Sequence, residues 1–247
     1  MEFRVLPVID LMLALYEKPL APERFHAYLK LLQGNSKGDI LLPVYAFNPM
    51  AKEDAIEKLK ALKALDAEEI IKELLPELNA AVAGYKDQST IGIALNLSDD
   101  LKGGWTNRYT SDYDSKFRIN ALVTRNFCTP ILWAGEDHTL EIIKQRIKEY
   151  AWRSVYRKMN PAPLILKDHV TQESFVALHA GTVLPIEIET AQNDTAGLYE
   201  THRDSEDYHV IFNFLYGSKA AASLEFPVAF EMADRGGFHY AITLAKH

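Results

Sequence analysis

Cysteine is nearly absent: Cys128 is the only one in 247 residues. An intramolecular disulfide is therefore excluded, and so is a Cys-rich zinc site. No apolar run reaches the roughly 18 residues of a membrane-spanning helix, so no membrane partner is expected. Basic charge is short as well, with 27 Lys and Arg against 34 Asp and Glu and a formal charge of −7. Nucleic-acid binders draw much of their affinity from a basic face that displaces counterions, so a nucleic-acid partner is not expected either. The phosphate loop G-x-x-x-x-G-K-[ST], the dinucleotide signature G-x-G-x-x-G, the G-x-S-x-G elbow and H-E-x-x-H are all missing. That removes the common nucleotide-binding, α/β-hydrolase and zincin routes.

What is present is an ordinary globular composition, 48% hydrophobic and 25% charged. A chain of this size buries a sizeable core without disulfide or metal. The apolar N-terminus is interrupted by Glu2, Arg4 and Asp10 and is followed by no small-x-small cleavage site, so a cytoplasmic protein is the simplest reading.

The first third reads as helical. Val8, Leu11, Met12 and Leu15 recur at helix spacing, and 22–33, 52–64 and 67–83 carry similar apolar faces. Pro76 is expected to kink or split the last of these. The turn-formers 34–39 read as a loop, and 40–47, interrupted by Pro43, as an edge strand or extended segment. From about residue 90 the texture changes. Residues 91–97, 117–123 and 127–133 read as strands, and so do 208–216, 228–232 and 238–244, the last pair flanking Asp234-Arg235-Gly236-Gly237 as a hairpin turn. A long helix is expected over 139–158, its Ile143, Ile147, Tyr150 and Val155 inward and its basic residues in solvent, and a shorter one over 172–180. The fold class expected is α+β: a helical N-terminal region followed by a mixed or antiparallel sheet packed against a long helix. The chain reads as a single domain over 1–247, with 1–84 a helical subdomain and 85–247 the α+β part.

Chemistry is most concentrated in 98–115, a long connection between two expected strands. Loops of that length inside compact domains are usually functional or disordered, and this one carries aromatics. Trp105, Asn107, Arg108 and Tyr109 are candidate ligand-binding residues, since an Arg fork matches carboxylate or phosphate. Asp112 and Tyr113, with His202, are the candidate catalytic groups. His202, Asp204 and His209 are the candidate metal ligands, although their spacing matches no established motif. No cofactor is specified, and a divalent metal is the less favoured reading of this segment.

Three other features have two readings. Glu136-Asp137-His138 is an anion site at a helix N-terminus, or Asp137 simply caps that helix. The basic helix 141–158 meets an acidic partner or is solvated. Cys128 is a nucleophile or a buried small hydrophobe. Two functions follow: a hydrolase-like enzyme binding a polar or anionic small molecule through 98–115, or a non-catalytic binding or assembly protein using that loop and the basic helix. The sequence does not set the oligomeric state.

Overall fold

In the computed structural model, residues 1–33, 40–44, 47–184 and 194–246 are described. The expected loop at 34–39 lies outside them. The expected extended segment at 40–47 is described in part, and 40–44 form no strand. Two compact units emerge: the first takes in Met1–Asp112 and Asn120–Ser154, the second Tyr113–Ile119 and Val155–His247.

Among the described residues the first unit holds all the strands, β1 (Glu2–Val5), β2 (Thr90–Ile93), β3 (Asn96–Ser98), β4 (Phe127–Cys128) and β5 (Ile131–Trp133). Every pairing is parallel: β1 with β2, β2 with β4, and β3 with β5. The two short ladders are joined, because Ala94 N–H donates to the Cys128 carbonyl at 2.9 Å and Asn96 N–H to that of Pro130 at 2.8 Å. Pro130 lacks an N–H, which explains the break between β4 and β5. Parallel neighbours need long crossovers. The first carries α1 (Ile9–Tyr16), α2 (Pro22–Gln33), α3 (Glu53–Ala64) and α4 (Ala67–Val82); the second carries α5 (Arg108–Tyr113), a π-turn (Asp114–Arg118) and α6 (Asn120–Thr124). Helix α4 includes Pro76 without dividing, contrary to the expected split.

Next comes α7 (Leu140–Met159), which begins in the first unit and passes into the second at Val155. Ile143, Ile147, Tyr150 and Val155 are buried as the spacing predicts. Its basic face departs from expectation: Arg153 and Arg157 are buried too. The Arg153 guanidinium lies over the Tyr150 ring at 5.0 Å, and Arg157 donates to the Phe117 carbonyl at 3.0 Å. Arginine stems cover apolar surface while their heads find acceptors, so a basic stripe need not face water.

The second unit continues with α8 (Leu166–Ala180), α9 (Thr195–His202), α10 (Tyr208–Tyr216), α11 (Ser218–Ser223) and α12 (Gly236–Leu244). Among the described residues it contains no strand, which overturns the α+β expectation. Among the described residues helix takes 57%, in twelve α-helices and the π-turn, and the strands are few, short and parallel. The reasons are local. Ile211 through Tyr216 are all buried, so this largely apolar run shows no period to separate strand from buried helix. Asp207 starts the helix by accepting from the His209 N–H at 2.8 Å. The Gly236-Gly237 pair makes no hairpin turn. It opens α12, and a Cβ on Gly237 would stand 2.6 Å from the Phe214 carbonyl oxygen, so the glycine permits close helix packing. Residues 228–232 form no strand and pair instead with a side chain: Asn213 donates to the Phe230 carbonyl at 3.1 Å and accepts from the Ala229 N–H at 3.2 Å.

The open edge of β1 is treated the same way. Asn79 on α4 accepts from the Phe3 N–H at 2.6 Å and donates to the Phe3 carbonyl at 3.1 Å, standing in for a strand. Replacing Asn79 by alanine leaves two backbone groups unpaired at an edge that other chains can join. Urea unfolding of Asn79→Ala is expected to show a loss of about 1–3 kcal/mol, and sedimentation a concentration-dependent self-association.

Candidate functional site

The segment after β3 is a closed turn followed by a helix. Asp99 accepts from the Leu101 N–H at 3.3 Å, Gly104 N–H donates to the Leu101 carbonyl at 2.7 Å, and Thr106 N–H returns to the Asp99 carbonyl at 3.2 Å. Asp99 is itself held by Asn48 Nδ2 at 2.8 Å. These bonds fix the backbone on both sides of Trp105, whose side chain is 59% exposed and packs edge-on against Phe25 at 6.2 Å. Behind it runs a row of aromatic contacts, Phe25 to Tyr28, Tyr28 to Phe47 and Phe47 to Tyr16. Burial, reinforced by the Asp99 charge, raises the Tyr16 phenol well above its usual value.

Asn107 caps α5, accepting from the Thr110 N–H at 3.1 Å. Arg108 is partly exposed but paired with groups of the protein itself. Its guanidinium meets Glu136 at 3.1 Å and Asp100 at 3.6 Å and lies 5.6 Å from the centre of the Trp133 ring. Tyr109 is half-buried, and Asp112 is buried with its charge felt by Arg146.

Glu136 and its neighbours explain why these charges gather here: they satisfy the outer edge of β5. Glu136 Oε1 accepts from the Trp133 N–H at 3.0 Å, its Oε2 meets Arg146 at 3.2 Å, and Arg146 donates to the Ile131 carbonyl. His138 Nε2 lies 3.0 Å from the Trp133 carbonyl and so is the protonated nitrogen of that ring. Burial lowers the His138 pKa. Thr139, not Asp137, caps α7 by accepting from the Ile142 N–H at 3.3 Å. Asp137 lies in solvent, 3.8 Å from Lys58.

In the second unit Tyr113 has a partner that local sequence did not signal. Its hydroxyl lies 3.0 Å from His169 Nε2, and His169 Nδ1 lies 2.8 Å from the Ile165 carbonyl. The carbonyl can only accept, so Nδ1 carries the proton and the tyrosine donates to Nε2. Tyr113 is 3% exposed and His169 2%. Burial pushes the phenol up to about 12 and the imidazole below its usual value. His202 stacks on Phe230 at 4.8 Å, Asp204 is exposed, and His209 meets the Phe226 ring edge-on at 4.9 Å. Among the described residues, no three His, Cys, Asp or Glu side chains gather closely enough to hold a metal ion. Cys128 is fully buried, and burial raises its thiol to about 12, which keeps it protonated and unreactive near neutral pH.

No protein family model matches the chain, and no curated protein or solved structure is detectably similar to it.

His169 is buried neutral, so its folded pKa lies below its unfolded value. Its stability contribution is complete above the unfolded pKa, about 6.5, and falls away as pH drops below it, because the unfolded chain then binds the extra proton. His138 and His239 are lowered in the same direction. The urea midpoint is therefore expected to fall from pH 7 to pH 5, and His169→Gln to flatten that slope. A midpoint independent of pH across this range contradicts the assignment.

Proposed function

We propose that this is a binding protein, and that its ligand is a small anion bearing a flat apolar face. Trp105 is the platform and Lys102 and Lys52 are the counter-charges. The carrying observation is that Trp105 stands exposed on a turn whose backbone is hydrogen-bonded on both sides, whereas the other charged candidates around it are engaged within the protein. A large exposed aromatic held in a fixed place is a low-entropy contact for a ring or apolar surface. Lys102 is exposed in the same turn, and the Lys52 ammonium comes within 3.6 Å of the point where Gly103 would carry a Cβ. Neither lysine makes an ion pair among the described residues.

The second reading, a hydrolase-like enzyme, rests on the Tyr113–His169 hydrogen bond, which has the form of an activated hydroxyl and its base. It requires a pair that is almost wholly buried to meet substrate, which is why binding is favoured. Among the described residues no helix is long and apolar enough to cross a membrane. The cytoplasm is proposed as the compartment because the single thiol is free and buried.

Fluorescence tests the proposal directly, since Trp133 and Trp152 are both buried. Iodide is expected to quench essentially the Trp105 fraction alone. Phenyl phosphate and adenosine monophosphate, used as probes, are expected to change that emission saturably. Trp105→Ala should weaken binding of the probes, measured calorimetrically, about 10-fold or more, in line with roughly 1–3 kcal/mol for ring stacking. It should move stability by no more than about 0.5 kcal/mol. Probe affinity unchanged in Trp105→Ala contradicts the platform; release of inorganic phosphate from phenyl phosphate favours the enzyme.

A further inference from the structure

We infer that the C-terminal end of β3 holds one internal hydrogen-bond donor, a water molecule, between the side chains of Asn96 and Ser98. Both residues are 0% exposed. Asn96 Oδ1 and Ser98 Oγ are buried side-chain oxygens with no hydrogen-bond partner in the protein. Leaving two such groups unsatisfied is costly, and native interiors rarely do so.

The orientation of the Asn96 amide is not arbitrary. Its Nδ2 donates to the Pro43 carbonyl at 3.0 Å and the Ala94 carbonyl at 2.9 Å. Exchanging nitrogen and oxygen would set an oxygen against two carbonyls, so Oδ1 is the atom left facing the interior. Residues two apart on a strand share a face, and their Cα atoms stand about 6.6 Å apart. A water reaching about 2.8 Å to either side spans that interval once the side chains lean inward.

The chemistry of the pair selects the occupant. Asn96 Oδ1 can only accept, whereas the Ser98 hydroxyl can donate and accept. Water donates to Asn96 Oδ1 and either donates to the Ser98 hydroxyl or accepts its proton, which makes two bonds, within the two to four typical of an internal water. A hard metal cation takes about six or more oxygens, and two neutral ones do not supply that shell. The site lies where β3 passes into the turn that carries Trp105, since Asp99 follows Ser98 directly. Its occupancy does not depend on the ligand proposed above.

Nuclear magnetic resonance on the full ¹⁵N-labelled chain tests this. The expected result is water cross-peaks to amides of 96–98 whose NOE and ROE have opposite signs, marking a water that outlives molecular tumbling. Ser98→Ala removes one of its anchors and is expected to lower Tm by about 2–4 °C. Absence of a long-lived water signal in the wild-type protein overturns the inference. So does a raised Tm in Ser98→Ala, because deleting a truly unsatisfied hydroxyl stabilises. A Tm that rises with KCl but not with N-methylglucamine chloride at equal ionic strength also overturns it, in favour of a bound alkali cation.

Discussion

A short parallel sheet has two edges and little of its own backbone to satisfy them, and much of this structure answers that constraint. Each outward-facing N–H and C=O needs a partner or water. On the β1 side Asn79 provides both bonds to Phe3. On the β5 side the work is divided, with Arg146 at the Ile131 carbonyl, Glu136 at the Trp133 N–H and His138 at the Trp133 carbonyl. Far along the chain, Asn213 does for 229–230 what Asn79 does for β1. A side-chain amide presents a donor and an acceptor side by side, so it can replace the neighbouring strand where helices leave no room for one.

The same constraint accounts for the disposition of charge. Once Glu136 is committed to the sheet edge, its second oxygen draws in Arg108 and Arg146, and Asp100 takes the Gly135 N–H at 2.7 Å. Along α7, Lys144 reaches Glu73 at 3.2 Å and Lys148 reaches Glu77 at 2.7 Å. The acidic face of α4 thus meets the lysines that the sequence offers to an outside partner. Those exposed pairs add little stability individually.

Helix spacing made much of the first unit legible. The faces of 22–33, 53–64, 67–82 and 140–159 repeat every three or four residues, and 91–97 and 127–133 are short apolar runs between turn-formers. The second unit resisted reading because its core is aromatic and enclosed. Around 208–216 and 238–244 apolar and aromatic side chains are dense enough to suit helix and strand alike, and tertiary packing decided. At the candidate site, exposure of Trp105 could not be read from its neighbours, since an aromatic in a loop is equally suited to burial. Arg108 was legible as a binder of carboxylates, but the carboxylates belong to Asp100 and Glu136. Tyr113 stood out locally, whereas His169, 56 residues away, carried no local signal.

Neither compact unit is a continuous stretch of chain. The first is interrupted by Tyr113–Ile119, and the second adds to that short insert everything after Ser154. Within the first unit β1 pairs with β2 across most of a hundred residues, Phe3 lying against Ile91. On the ribosome, β1 must therefore wait, unpaired, through the synthesis of four helices before its neighbour emerges. Contacts this distant in sequence slow folding, because loop closure precedes any gain from the contact. The other side of the strand waits almost as long, because Asn79, which pairs the outward-facing backbone of Phe3, leaves the ribosome only shortly before β2 itself.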